Sequence, residues 1–552
     1  MTPAAVAQAV AEAVSAAAAA NGYDLGEIPE VRVDRPRQRE HGDYATNVAL
    51  TLAKKVGVAP RDLAAAIAEH LTTTAGIAAV EVAGPGFINI RVEAASQAEL
   101  ARVIVEAGAE FGHGQDLAGT AVNVEFISAN PTGPLHLGHT RWAAVGDAIA
   151  RVLAAAGATV AREFYINDRG VQMDKFGDSI AAAAAGAKAP EDGYHGAYIT
   201  DLAARILAEH PEFAELTGSA RTEAFREAGY VIQLQQQKDV LDLFRTHFDV
   251  WASERALHES GAVERGLARL REQGHVYEAD GAIWLRTTDF GDDKDRVLVK
   301  ADGEGTYFLS DTAYYIDKRA RGFDICLYLL GADHHGYVGR LRAVAACAGD
   351  DPGYNIEIPI GQLVKMVKGG EEVRLSKRAG NMITLEDLVD EVGVDAARYS
   401  LIRYPVDSPL TLDLDLLIKR SNDNPVYYVQ YAHARISSVL RNAADAGIAW
   451  HEADFDPGLL DHEQESLLLG ALAEFPRVVA SAAELREPHR IARYLEDLAT
   501  AYHKFYDSCR VLPRGDDEVE PITIARLWLC SATRQVLANG LDLLGVSAPD
   551  RM

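Results

Sequence analysis

Hydrophobic positions near the start of the chain follow a helical period and then switch to alternation. The alanine-rich stretches at residues 4 to 20, 62 to 69 and 180 to 187 contain no proline. Alanine has the highest helix propensity, so each stretch predicts a helix. Around the first two lie the polar segment VDRPRQREHGDYATNVALTLAKKVG and the alternating runs AAVEVAG and GFINIRV, hinged at Gly84-Pro85-Gly86. These runs predict two paired strands, which makes residues 1 to about 115 an appended α+β unit.

From Ala121 the pattern changes. AVNVEFI is almost continuously apolar, Leu137 to Ala156 is helical and stopped by Gly157, and ATVAREFYIN is a second apolar run. Strand, loop, helix and strand in that order predict a right-handed βαβ unit. Further buried-type strands recur at DICLYLLG (324 to 331) and YNIEIPIGQLV (354 to 364), with a long helical insertion from about 170 to 273. The pattern predicts a Rossmann-like α/β core, a doubly wound parallel sheet over residues 116–420, whose ligand lies at the carboxyl ends of its strands. After Ser421 the chain reads as helical to residue 552, broken by polar linkers such as PRGDDEVEP, which predicts a C-terminal all-α bundle.

Composition narrows the classes. A chain of 552 residues predicts three or four domains, and no apolar run approaches the roughly 20 residues of a membrane span. The N-terminus lacks a basic region and carries Glu12 within its apolar part, so it reads as an ordinary helix rather than a signal peptide. Cys326, Cys347, Cys509 and Cys530 stand apart with no C-x-x-C, which suggests neither structural zinc nor a disulfide framework. A cytoplasmic setting, no membrane and a monomer are the expectations. The balance of 54 basic and 81 acidic residues, a net charge of −27, argues against sequence-blind nucleic-acid binding. A specific RNA partner stays open, because salt screens each charge beyond roughly 8 Å and a local basic track suffices.

The chemistry concentrates in VEFISANPTGPLHLGHTRWA, Val124 to Ala143. A strand running into a loop and a helix N-terminus suits phosphate, and His136 and His139 share one helix face there. Gly138 between them lets a flat ring approach the backbone. Two other readings compete. The pair can be metal ligands together with Asp333, His334 and His335 of GADHHG, or ordinary capping and core residues. Far downstream, GGEEVRLSKRAGNMITLEDLV sets Arg374, Ser376, Lys377 and Arg378 in a glycine-flanked basic loop, followed by a helix start at Thr384 capped toward Asp387. Such a loop can close on a polyphosphate.

His136-Leu137-Gly138-His139 resembles the HIGH motif of class I aminoacyl-tRNA synthetases, and Arg374 to Arg378 resembles their KMSKS loop. Within that class, ANPTGPLHLGHTR, TYFLSDTAYYIDK, LGADHHGY, RLSKRAGNMITL and YYVQYAHARISSVLR resemble the arginyl-tRNA synthetases, with similarity over nearly the whole chain. The resemblance implies a two-step reaction. Arginine and ATP give arginyl-adenylate and pyrophosphate, and the arginyl group then passes to the terminal adenosine of tRNA-Arg. It implies that His136, Gly138, His139, Asp333, His335, Arg374, Ser376 and Lys377 hold ATP, with His136, His139 and Lys377 catalytic. Magnesium enters with ATP as substrate, and no protein-bound metal is expected. Such enzymes act by placing donors where charge develops on oxygen.

The resemblance also implies an L-arginine pocket built from Glu125, Ser128, Asn130, Tyr307, Asp311 and His334. A buried guanidinium requires carboxylates, although Glu125 also fits a structural ion pair. For tRNA, the C-terminal bundle offers Tyr427, Tyr431, His433 and Arg435 as a stacking and polar group, against a packing role for the same aromatics. The first position of the KMSKS pattern is Arg374 rather than lysine, a planar fork in place of a point charge, and Lys365 or Lys368 can supply an ammonium. A metal-dependent hydrolase and a catalytically silent RNA-binding relative are the competing functions.

Overall fold

The computed structural model describes residues 1–36, 38, 41–373, 383–515 and 517–552. Its centre is a five-stranded parallel sheet: β1 (Ala121–Glu125), β2 (Thr159–Ile166), β3 (Val250–Ser253), β4 (Ile325–Tyr328) and β5 (Ile356–Glu357), in the spatial order β5-β4-β1-β2-β3. The chain winds one way from β1 to β3 and the other from β4 to β5. The order therefore reverses between β1 and β4, where a doubly wound sheet opens a ligand crevice. β1 and β4 are buried because helices cover both faces, which is why they read as continuous apolar runs.

Helix α1 (Leu137–Ala155) connects β1 to β2. Thr140 through Ala150 are all buried, as expected of a helix enclosed on every side. It lies so close to the sheet that a Cβ on Gly146 would stand 2.5 Å from the Phe126 ring. The span expected to be a helical insertion contains α2 (Gly218–Leu243) and shorter helices, but it also contains β3. Those four half-buried residues pair with Glu163–Ile166, so the sheet recovers its edge strand from within that span. A small antiparallel sheet, Val276–Ala279, Ala282–Leu285 and Arg296–Val299, leads into α3 (Tyr307–Ala320).

The N-terminal unit has its own core, in which Val6, Val10, Leu52, Leu63, Ile67 and Ile88 are sealed between three helices and a three-stranded antiparallel sheet. Helix Leu100–Ala107, expected within that unit, instead buries Leu100, Ala101 and Ile104 in the main core. The C-terminal bundle includes α4 (Pro425–Asp445), α5 (His489–Ser508) and α6 (Pro521–Leu543), and its apolar cluster is continuous with that of the parallel sheet. Two stretches, Pro3–Asn21 and Glu463–Leu485, are long and apolar enough to cross a membrane, which the sequence pattern did not suggest. Each buries one side in a core: Val6, Val10 and Val14 in the first, Leu468, Leu472 and Val479 in the second.

Candidate active site

At the carboxyl end of β1 the chain turns through residues 126–135 and enters α1. His136 is the N-cap. Its Nδ1 accepts from the Gly138 N–H at 3.1 Å, and His139 Nδ1 accepts from the His136 N–H at 3.3 Å, a capping box made of two imidazoles. A ring nitrogen that accepts carries no proton, so these bonds assign the proton of each ring to Nε2. Burial lowers both pKa values, that of His139 to about 3 with His136 as the second cause. Protonation at Nδ1 would also break the caps. At neutral pH the pair is therefore two uncharged rings, centroids 3.9 Å apart, whose Nε2–H groups meet no hydrogen-bond partner among the described residues. A Cβ at residue 138 would stand 2.9 Å from His136 Cε1, so any larger residue would have to displace that ring.

The same turn is tied to the segment after the basic loop. Leu137 N–H donates to Ile383 O at 2.9 Å, and Leu385 N–H to Leu135 O at 2.8 Å. Thr384 caps the following helix and exchanges bonds with Asp387, the box expected from the sequence. Arg141, one turn into α1, gives its guanidinium to the carbonyls of Ser408 and Pro405, each at 2.7 Å. Burial brings its pKa down to about 10. Arg374, Ser376 and Lys377 lie outside the described residues. Of the two upstream lysines, Lys368 is paired with Glu391, and Lys365 is exposed on the strand Val364–Lys368.

Across the crevice, α3 turns one face toward β1, with Tyr307, Asp311, Tyr314 and Lys318 spaced three and four residues apart. Lys318 is wholly buried. Its Nζ donates to Glu125 Oε2 at 2.5 Å, and Ser128 Oγ donates to Glu125 Oε1 at 2.8 Å. Glu125 therefore makes the ion pair that was its alternative role, and only its remaining lone pairs can serve a ligand. Beneath it, Glu163 is wholly buried and accepts both arms of Arg321, at 2.8 and 2.9 Å, the Asn123 amide at 2.6 Å and the Tyr314 hydroxyl at 2.5 Å.

Among the described residues no cation is bonded to Asp311. Tyr337 donates its hydroxyl to it, yet burial, seconded by the charge of Glu125, pushes its pKa up to about 6. Glu254, which follows β3 directly, is another buried carboxylate whose pKa is raised by burial and by Asp311. Among the described residues no lysine or arginine is bonded to Asp311 or Glu254, although Arg340 and Arg169 act on them through space, and a guanidinium has the charge and donors to pair with them.

Other expected residues fall around this crevice. Tyr307 is 70% exposed at the first turn of α3. Asn130 is exposed on the loop after β1. That loop carries strain: Ile127 has φ 69° and Ser128 φ 43°, conformations that cost about 1–3 kcal/mol each and concentrate at functional sites. Asp333, His334 and His335 form an exposed turn at the end of Leu330–Gly331, with His334 Nε2 3.4 Å from Asp333. Among the described residues, no three His, Cys, Asp or Glu side chains are grouped to hold a metal ion, so the histidine pair and this turn do not form one centre.

In the bundle, Tyr427 and Tyr431 stack with centroids 6.1 Å apart, and Arg435 lies over Tyr431 and, at 4.1 Å, over Tyr506. His433, expected beside them, lies apart from this group. It points to the opposite side of α4, is buried, and is bonded to Pro549 O at 3.0 Å. Sequence reasoning missed Lys318 and Glu254. The i, i+7 spacing from Asp311 to Lys318 was a usable signal for the first; nothing local marks the second.

Three family models cover most of the chain: an arginyl tRNA synthetase N terminal domain at residues 4–92, the catalytic domain of class I (R) tRNA synthetases at 112–403, and a DALR anticodon binding domain at 429–552. The chain is 58% identical to an arginine–tRNA ligase of Kineococcus radiotolerans over the full length of both. It is 56% identical to one of Frankia alni, again over the full length of both. It is 57% identical to one of Micrococcus luteus, over 98% of this chain and 99% of that one. The Thermus thermophilus arginyl-tRNA synthetase structure superposes with a TM-score of 0.76 over all of both chains at 22% identity, a likeness of fold.

Proposed function

Because the chain belongs to the arginyl-tRNA synthetases, a class I group of arginine–tRNA ligases, we propose that it joins arginine to ATP as arginyl-adenylate and passes the arginyl group to the 3′-terminal adenosine of tRNA-Arg. Pyrophosphate leaves in the first step and AMP in the second. Beside the family membership, one local observation supports this reading: the carboxyl end of β1 leads to the helix mouth capped by His136 and His139, and Glu125 at the end of that strand pairs with Lys318 on α3, the helix that bears Asp311.

In the first step the arginine carboxylate attacks the α-phosphorus and the bond to pyrophosphate breaks. His136 and His139 hold ATP through Nε2–H, Gly138 admits the nucleotide against the backbone, and the turn from Asp333 to His335 flanks it. Uncharged donors suit this work, because they stabilise oxygen charge as it grows without paying for a buried imidazolium. Lys377, with Arg374 and Ser376, closes on the departing pyrophosphate, and magnesium arrives bound to ATP. The guanidinium of the substrate pairs with Asp311 and shares Glu125 with Lys318, under Tyr307. Ser128, Asn130 and His334 receive the amino and carboxylate end.

Tyr427, Tyr431 and Arg435 stack on and hydrogen-bond to bases of the anticodon arm, and the N-terminal unit meets the corner of the tRNA. The enzyme works as a cytoplasmic monomer. The test is charging of total tRNA with each amino acid in turn: label enters tRNA with arginine alone, and charging with any other residue at a comparable rate refutes the assignment.

A further inference from the structure

The loop between β1 and α1 has two ends, and different parts of the molecule hold them. The end at Leu135–Leu137 is bonded to Ile383 and Leu385, after the basic loop. The other end is held by the helical insertion. Gln237, on α2, is 1% exposed, and its Nε2 donates to Asn130 O at 3.0 Å and to Gly133 O at 2.8 Å. Both partners are carbonyls, so only the amide nitrogen can face them. Tyr198, on the helix Ala197–Glu209, adds a third bond from its hydroxyl to Thr132 O at 3.2 Å. Gln237 Oε1 is buried with no hydrogen-bond partner among the described residues, so the side chain is held for its donors alone.

We infer that Gln237 is a positioning residue for the amino-acid substrate: the insertion, through Gln237 and Tyr198, sets the Ser128–Asn130 stretch that receives arginine, independently of the histidine end that receives ATP. The inference rests on the reading of Ser128 and Asn130 given above. Its physical basis is the strain at Ile127 and Ser128, a backbone that persists only when its surroundings over-determine it. Gln237 and Tyr198 supply that determination on one side, and the Ser128 bonds to Glu125 and from Tyr165 N–H, the latter at 3.2 Å, supply it on the other.

The test is steady-state arginylation by Gln237→Glu and Tyr198→Phe beside the unaltered enzyme. Gln237→Glu keeps the shape but turns an oxygen toward two carbonyls. Its arginine KM rises about tenfold while its ATP KM stays within about twofold, and Tyr198→Phe raises the arginine KM about threefold. A role that merely supports the fold would raise both KM values together and lower Tm, and that outcome overturns the inference, as does an unchanged arginine KM in both variants. Should Gln237→Glu melt below the assay temperature, Tyr198→Phe decides alone, and an unchanged arginine KM there also overturns it. Failure of the unaltered enzyme to charge arginine would refute the underlying assignment instead, so the two failures are distinct.

Discussion

Lowering the pH from 7 to 5 weakens arginine binding through Asp311 before it disturbs the histidines. The Asp311 carboxyl titrates near 6 rather than 3.8, with burial as the main cause and Glu125 adding to it, while Tyr337 and Arg340 pull the other way. That displacement corresponds to about 3 kcal/mol against the charged form. Glu254 and Tyr165 face the same space. The sign follows from which form binds. A guanidinium pairs with the carboxylate, so affinity is complete above about pH 7 and falls tenfold per unit well below 6. Arginine KM therefore rises about tenfold between pH 7 and pH 5, measured in arginylation assays with ATP and tRNA saturating. His139, its pKa lowered to about 3, keeps its neutral form across this window, and burial lowers that of His136 in the same direction.

Asp311→Asn removes the dependence and the charge together. Its arginine KM is flat with pH and about a hundredfold higher at pH 7, the lower range for deleting one partner of a buried charge pair. A carboxyl whose folded pKa is raised costs stability above its unfolded value, so the same substitution stabilises the empty enzyme at pH 7 by up to about 3 kcal/mol. A flat profile in the unaltered protein, or an equal rise in Asp311→Asn, would refute the assignment of Asp311.

Lys377→Ala slows adenylate formation a hundred- to a thousandfold, the usual loss for one transition-state donor of about 2.7–4 kcal/mol, while arginine KM changes less than about twofold; ATP–pyrophosphate exchange reads both. His136→Asn retains a good N-cap, so Tm falls by only a few degrees, yet exchange drops about a hundredfold because the Nε2–H is gone. Proportionate losses of Tm and rate would mean the ring serves only the helix. Lys318→Met leaves Glu125 buried and unpaired, costing about 3–5 kcal/mol in urea unfolding, and adding Glu125→Gln recovers most of it. If the double variant is no more stable than the single, the pair is not the unit described.

The parts of this fold legible from sequence were those whose determinants are local. β1, α1 and β2 were legible because each is mostly apolar, as strands and a helix set into a core are, and Thr384 with Asp387 marked a cap at fixed spacing. β3 was not legible. Val250–Ser253 is a short edge strand, half-buried throughout, and its identity comes from pairing with residues 87 positions away. The site divides in the same way. His136 and His139 were readable from a strand-to-helix turn, but their protonation followed only from seeing Nδ1 occupied by backbone. Glu125 was visible as a carboxylate at a strand end, whereas its neutralisation by Lys318 spans 193 residues of chain. His433 shared a motif with Tyr431 and Arg435, but two residues along a helix is a rotation of about 200°, enough to turn it inward.

The most direct measurement of the central claim is ATP–pyrophosphate exchange with each amino acid in turn, with and without total tRNA. Exchange supported by arginine with tRNA present, and by no other amino acid, is the predicted result. Exchange with a different amino acid, or none with arginine and tRNA together, would contradict the account.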